Sequence, residues 1–284
     1  MTIVVTGATG HLGRLAVDHL LARGVPASGI VAAGRNPEKL AALAELGVGT
    51  AVIDFTDPAS LDAAFDGAES VVLVSGSDVG QRAPQHANVI DAAKRAGVAH
   101  LVYTSAPKAT DTALILAPEH KATEEAIAAS GLPATILRNG WYHENYAQAA
   151  AQAAATGVYL ASTGEGRVAS AARSDYAEAI AAVLTSEGHL GSVYELSGDS
   201  AWNGDDFAAA ATEAFGREVV FQSVSPEEHF AVLTGAGLDE GTAGFVVALD
   251  GNIRDGLLGE TSGELTALIG HPTLPLVDYL RSTK

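Results

Sequence analysis

Apolar residues in this chain alternate between two patterns: short unbroken runs, and longer stretches where they recur every three or four positions. Ile3-Val4-Val5 is the first run and predicts a short buried strand. Residues 14–23 carry leucines and a valine at helical spacing, with Gly24 placed to stop the helix. Residues 29–34 predict a second strand, after which Asn36 can cap a helix with Pro37 at its first position. Residues 49–55 form a third run, and Asp57 with Pro58 opens a short helix. Residues 70–75 form a fourth, apolar through its centre as a central parallel strand is. A helix over 84–97, with Ala87, Val89, Ile90, Ala93 and Ala96 on or near one face, leads to a fifth strand over 100–105. A helix over 118–130 is closed by Gly131, and residues 134–138 predict a further strand. Strands that alternate with helices in this way predict an α/β fold, a doubly wound parallel sheet of the Rossmann type.

The turn between the first strand and helix reads Thr6-Gly7-Ala8-Thr9-Gly10-His11-Leu12-Gly13. A G-x-x-G-x-x-G turn between strand and helix predicts a dinucleotide site. Gly7 permits the tight turn, Gly10 lets backbone approach a pyrophosphate, and Gly13 lets the helix pack closely. The helix N-terminus presents free N–H groups and a positive dipole end to the phosphates. At the end of the second strand, an Asp or Glu would hold the ribose 2′-hydroxyl of NAD. Arg35 stands there instead, with no acid before Glu38. An arginine suits the 2′-phosphate of NADP, so the expected cofactor is NADP(H). Asp54 ends the third strand, where its carboxylate can accept from an adenine amino group or serve as a plain turn aspartate. Ser75 ends the fourth strand and Gly76 and Ser77 follow it, at the carboxyl edge where open parallel sheets bind ligands. After the strand over 134–138 comes Asn139-Gly140-Trp141-Tyr142-His143-Glu144-Asn145, a dense polar and aromatic cluster at another such end.

Beyond an alanine-rich helix over 147–155, glycines multiply from Gly191 and the helices shorten, with Ser225-Pro226-Glu227-Glu228 as a capping box. The expected organisation is a dinucleotide-binding domain over 1–155, a segment over 156–190 returning to the sheet, and a smaller, mostly helical lobe over 191–284. That lobe is expected to cover the ligand edge. Phe207, Phe215, Phe230 and Phe245 are its candidates for closing a pocket.

Composition narrows the chemistry. The formal charge of −18 disfavours nucleic acid and anionic membranes as partners. With no cysteine, thiolate catalysis, cysteine–zinc sites and disulfides are excluded, and the expected home is cytoplasmic. No apolar run reaches membrane-spanning length. The chain is expected to be a monomer or a homodimer.

Several stretches together resemble the NmrA-like branch of the atypical short-chain dehydrogenases, with its NADPH:quinone-reducing bacterial members nearest. They are the glycine loop, Ser77-Asp78-Val79-Gly80-Gln81-Arg82-Ala83-Pro84-Gln85-His86, Tyr103-Thr104-Ser105, Glu119-His120-Lys121-Ala122-Thr123-Glu124, the cluster beginning at Leu137-Arg138-Asn139, and Ala169-Ser170-Ala171-Ala172-Arg173-Ser174-Asp175-Tyr176. The resemblance implies that Gly7 to Leu12, Arg35, the segment near Ser77, Asn139 to Glu144, and Arg173 hold NADPH. An ion pair of Arg173 with Asp175 is the competing reading. The resemblance also implies hydride transfer to a quinone or similar planar acceptor.

The tyrosine-dependent members of the wider superfamily protonate a carbonyl with a Y-x-x-x-K pair. Here His120 and Glu124 stand at that spacing, which puts alcohol dehydrogenation in doubt. A quinone is already electrophilic and needs little beyond a well-placed hydride. His120 can donate a proton, since histidine titrates near neutrality, or can simply bond to Glu124 one turn on. Further metal ligands are absent from that pair, so no metal is expected. Trp141 and Tyr142 are the candidate walls for a planar substrate. The competing functions are a redox sensor that binds NADP and acts through a protein partner, and a reductase of a cationic dye or a nitro- or azo-aromatic.

Overall fold

The computed structural model describes residues 1–76, 78 and 80–283. In chain order its elements are β1 (Ile3–Val5), α1 (His11–Ala22), β2 (Ile30–Gly34), α2 (Pro37–Ala44), β3 (Gly49–Val52), α3 (Pro58–Phe65), β4 (Ser70–Leu73), α4 (Arg82–Arg95), β5 (His100–Ser105), α5 (Ala117–Ser130) and β6 (Ala134–Asn139). They continue with β7 (Trp141–Tyr142), α6 (Ala147–Thr156), β8 (Val158–Ala161), β9 (Ser170–Ala171), α7 (Arg173–Thr185), β10 (Val193–Leu196), α8 (Gly204–Phe215), β11 (Val220–Ser223), α9 (Pro226–Gly235), α10 (Glu240–Arg254), α11 (Glu264–Ile269) and α12 (Leu276–Ser282).

Seven strands form one sheet in the order β10-β6-β5-β4-β1-β2-β3. Its pairings run parallel, with Val4 opposite Val31 on one side and Val71 on the other. Strand order reverses between β1 and β4, the switch point at which doubly wound sheets bind ligands. The expected α/β, Rossmann-type fold is the one observed. Successive side chains of a strand face opposite sides. Val4, Val71, Leu73, Leu101, Tyr103 and Ile136 accordingly gather in one buried cluster with Leu61 and Phe65 of α3 and Val89 and Ile90 of α4. On that face α3 packs on α4 and α4 on α5, while α1 packs on α7.

The chain divides into two compact units. Unit 1 comprises Met1–Thr110, Leu116–Asn139 and Arg173–Glu195, and holds the large sheet. Unit 2 comprises Asp111–Ile115, Gly140–Ala172 and Leu196–Lys284. Its strands form two pairs, β11 with β8 and β7 with β9. Its core is aromatic: Phe207 is fully buried, with ring centroids 4.2 Å from Tyr159, 5.5 Å from Trp202 and 5.9 Å from Tyr146. Phe207 is thus a packing residue rather than a pocket wall.

Element edges depart from the sequence reading where capping and burial override periodicity. The first helix begins at His11, three residues earlier than expected, because Gly10 already serves as its N-cap. The fourth helix begins at Arg82 rather than Pro84, and a proline in a first turn forfeits no helical hydrogen bond. The capping box at Ser225 and Glu228 is present as expected.

Candidate functional site

The glycine loop is shaped by contacts that tolerate no side chain. Gly7 has φ +62°, a left-handed conformation that disfavours other residues. A Cβ on Gly13 would lie 2.4 Å from the Gly7 carbonyl oxygen, so α1 can start this close to β1 only with glycine there. The Gly10 N–H donates to the Gly7 carbonyl at 2.9 Å. Among the described residues no side chain caps α1, which leaves its first-turn N–H groups for an anion. Ala8 and Leu12 are buried, Thr9 is half-buried, and Gly10 and His11 are exposed. These observations fit a dinucleotide phosphate: a cradle cleared of Cβ atoms, with uncapped donors at a helix start.

Arg35 follows β2 with its side chain 65% exposed, and its Nη1 lies 3.6 Å from an Asp78 carboxylate oxygen. Lys39 of α2 donates from Nζ to the Thr9 carbonyl at 3.4 Å, which adds a second cation at this edge. Asp54 accepts from the Thr56 N–H at 2.8 Å and the Thr56 hydroxyl at 2.7 Å. Those two bonds hold its carboxyl below the usual carboxylate range. Both bonds fall on Asp54 Oδ1 and are of the kind that closes a turn.

The backbone after β4 is held by side chains. The Ser75 N–H donates to Thr104 Oγ1 at 2.9 Å. The Gly76 N–H donates to His86 Nε2 at 3.0 Å, and Arg82 Nε donates to the Gly76 carbonyl at 2.6 Å. Ser77 lies outside the described residues. Sequence reasoning missed Arg82, His86 and Thr104. All three stand in the sequence only as polar members of the resembling stretches, and the spacing of Ala87, Val89, Ile90, Ala93 and Ala96 gives no sign that a histidine is buried beside them.

Helix α5 turns Ala117, His120, Thr123 and Ile127 inward, at the spacing of a buried face. His120 is 5% exposed, and its Nδ1 pairs with the Tyr103 hydroxyl at 2.8 Å. Burial, reinforced by Arg82 and His86, depresses its pKa to about 3. The expectations of a histidine titrating near neutrality and of a local bond to Glu124 are therefore corrected. Glu124 instead accepts from Ser105 Oγ at 2.5 Å and from Arg138 at 3.0 and 2.6 Å. Arg138 also donates to Glu195 at 2.8 Å and to Thr110 at 3.2 Å. The two residues at Y-x-x-x-K spacing are thus separated by their partners: one is neutral and tied to a tyrosine, the other tied to an arginine. Lys121 is exposed. Among the described residues no cluster of histidine and carboxylates could hold a metal ion.

Of the remaining candidates, Asn139 ends β6 and is buried, and Arg173 begins α7 half-buried. Both belong to unit 1, while Gly140 to Glu144 belong to unit 2. There Gly140 donates its N–H to the Leu196 carbonyl at 2.8 Å. Trp141 and Tyr142 form β7, half-buried, opposite Ser170 and Ala171 of β9. Glu144 is half-buried in the turn after β7. His143 is buried, with Nε2 2.9 Å from the Leu274 carbonyl and Nδ1 2.8 Å from Ser170 Oγ. A carbonyl only accepts, so Nε2 carries the proton and Nδ1 accepts from the serine, whose oxygen accepts from Trp202 Nε1 at 2.8 Å. The His143 ring is thereby committed inside unit 2. Phe215, Phe230 and Phe245 are each half-buried.

Comparison with known proteins adds four findings. The NAD(P)H-binding family matches residues 7–187. Quinone oxidoreductase 2 of Escherichia coli (strain K12) is 46% identical over 276 residues, covering 97% of this chain and 96% of that one. Among solved structures, the NADPH-dependent quinone oxidoreductase of Escherichia coli complexed with NADPH superposes with a TM-score of 0.95 over 99% of both chains, at 46% identity. The triphenylmethane reductase of a Citrobacter species, complexed with NADP(H), also gives 0.95, over 100% of both chains at 38% identity.

Proposed function

This chain belongs to the NmrA-like, NAD(P)H-binding family, and on that premise we propose that it is an NADPH-dependent oxidoreductase that reduces a quinone. The observation that carries the proposal is the full-length match to an NADPH-dependent quinone oxidoreductase with NADPH bound. When bound, NADPH supplies the hydride, and a proton from solvent completes the hydroquinone.

The residues of the chain then have these roles. The uncapped start of α1 and the glycine turn receive the pyrophosphate. Arg35, assisted by Lys39, holds the 2′-phosphate and selects NADPH over NADH. Ser75, Gly76, Asn139 and Arg173 hold the rest of the cofactor along the carboxyl ends of the strands. Trp141 and Tyr142 offer aromatic surface to a planar acceptor, an interaction worth on the order of 1 kcal/mol per ring pair. His120, neutral and tied to Tyr103, helps to exclude water rather than deliver a proton. A quinone permits this division, because its reduced ring stays aromatic and its oxygens are protonated readily by water. No described helix is long and apolar enough to cross a membrane, and the cysteine-free chain suits the reducing cytoplasm.

The test is direct. Purified protein, NADPH and a small benzoquinone are mixed, and loss of the reduced-nicotinamide absorbance is followed. Quinone-dependent loss well above the protein-free rate is expected. Tight NADPH binding without turnover would replace this reading with a sensor. Faster turnover of a cationic triphenylmethane dye than of any quinone would move the acceptor class and leave hydride transfer in place.

A further inference from the structure

Both backbone groups of Gly76 are taken by side chains from α4. His86 accepts from its N–H at 3.0 Å, and Arg82 Nε donates to its carbonyl at 2.6 Å. We propose that His86 and Arg82 form a clamp that positions the Gly76 backbone after β4 for the nicotinamide dinucleotide. The proposal rests on the NADPH reading given above and concerns positioning residues, not catalytic ones.

The geometry fixes the protonation of the clamp. His86 Nε2 accepts a backbone N–H, so in the neutral ring the proton sits on Nδ1. That nitrogen lies 3.0 Å from Thr123 Oγ1. The threonine hydroxyl donates to the Glu119 carbonyl at 2.9 Å, so its oxygen is available to accept from His86. The chain of donors runs in one direction, from Gly76 through His86 and Thr123 to Glu119. The other jaw is anchored to the same turn of α5: the Arg82 N–H donates to Glu119 Oε1 at 3.0 Å, and its Nη1 to Oε2 at 3.3 Å.

The imidazole is fully buried. Phe55 and Tyr103 meet it edge-on, at centroid distances of 6.2 and 5.6 Å. The charged groups facing it are Arg82 and Glu119. Burial and the Arg82 guanidinium hold its pKa down to about 4, so the ring stays neutral and keeps its acceptor at physiological pH.

This arrangement matters because Gly76 lies at the carboxyl end of β4, on one side of the switch point between β4 and β1. A residue whose N–H and carbonyl are both engaged is oriented on both sides of its Cα before the ligand arrives, and preorganisation of this kind appears as tighter binding. The clamp touches the cofactor's side of the reaction, so its loss is expected to act on NADPH and not on the quinone.

Two measurements test it. In a long-range proton–nitrogen spectrum at pH 7, His86 is expected to be the neutral Nδ1–H tautomer. An imidazolium or an Nε2–H tautomer would overturn the clamp, whatever any variant does. Second, His86→Leu is expected to weaken NADPH binding about tenfold, the order expected for one buried hydrogen bond, with the KM for benzoquinone unchanged. His86→Gln offers a carboxamide oxygen to Gly76 and an N–H to Thr123, and is expected to restore affinity to within about threefold. Wild-type affinity in His86→Leu, or no rescue by a normally folded His86→Gln, would overturn the proposal. If His86→Leu does not fold, the tautomer decides. Binding is measured without acceptor, so a protein that binds NADPH but reduces no quinone would end the acceptor reading and leave the clamp standing.

Discussion

The Tyr103 hydroxyl and His120 Nδ1 lie 2.8 Å apart, joining β5 to α5 beneath the carboxyl ends of the strands. A superfamily pattern that normally presents a tyrosine from the helix here presents a histidine, and the tyrosine comes from the strand. The pair is buried: Tyr103 is inaccessible, and burial pushes its phenol well above the usual range. Both groups are neutral across the physiological range.

Turnover is therefore expected to be free of any ionisation from His120 between about pH 5.5 and 8. His120→Gln should lower kcat by no more than about threefold, far less than the 100-fold or greater loss that removal of a general acid brings. A pH–rate profile of kcat for both proteins checks this. An ionisation near 6.5 in wild type that vanishes in the variant would refute it.

The same depressed pKa values make stability pH-dependent. His86 and His120 titrate at about 4 and about 3 in the folded chain, against 6.5 when unperturbed. Between those values the unfolded state binds more protons, so stability is complete above about pH 6.5 and falls as the pH drops toward 4. Each histidine contributes a slope approaching ~1.4 kcal/mol per pH unit within its window. Denaturant midpoints measured from pH 7 to 4.5 should fall steeply, and His120→Gln should flatten the curve by about one proton.

Cofactor selection is expected to rest on Arg35. Arg35→Asp should weaken NADPH by roughly 100-fold and NADH by less than about threefold, since charge-assisted hydrogen bonds to the 2′-phosphate are lost and a repulsion is added. The ratio of the two dissociation constants is the quantity to measure. An unchanged ratio would remove the 2′-phosphate from Arg35.

Gly13 and Gly67 offer a matched comparison. A Cβ at Gly13 meets the Gly7 carbonyl at 2.4 Å, whereas one at Gly67, φ +70°, meets nothing within 4 Å. Gly13→Ala should cost about 1–3 kcal/mol by overpacking and impair NADPH binding. Gly67→Ala should cost about 1–2 kcal/mol through backbone strain alone and leave NADPH affinity intact. Equal effects of both on binding would contradict the role given to the glycine turn.

Arg138 and Glu124 form a buried pair, with side chains 12% and 9% exposed. Glu124→Gln leaves the guanidinium with Glu195 as its remaining carboxylate partner and should destabilise the fold by about 3 kcal/mol, as partner removal from a buried ion pair does. Thermal and urea unfolding would measure it. A loss under about 1 kcal/mol would show that solvent reaches the pair and screens it.

The alternation of strands and helices as far as β6, the glycine turn and the missing acid after β2 were legible in the sequence, because each depends on local patterning, whereas the short strands β7 to β11 were not read from it. Periodicity, glycine spacing and the residue at one strand end need no knowledge of distant contacts. Element starts were less legible: α1 and α4 begin at His11 and Arg82 because of a cap and a first-turn proline that periodicity does not register. The partners of buried polar groups were decided by tertiary structure alone. His120 and Glu124 stand one helical turn apart and read as a pair, yet β5 supplies Tyr103 to one and Ser105 to the other, and Arg138 arrives from β6. In the sequence His86 is one polar residue on the helix predicted over 84–97. It becomes a buried acceptor only because β4 ends beside it and α5 holds its other nitrogen. Where a side chain's partner comes from another strand or helix, spacing along the chain carries no information about it, and only the folded sheet brings the two together.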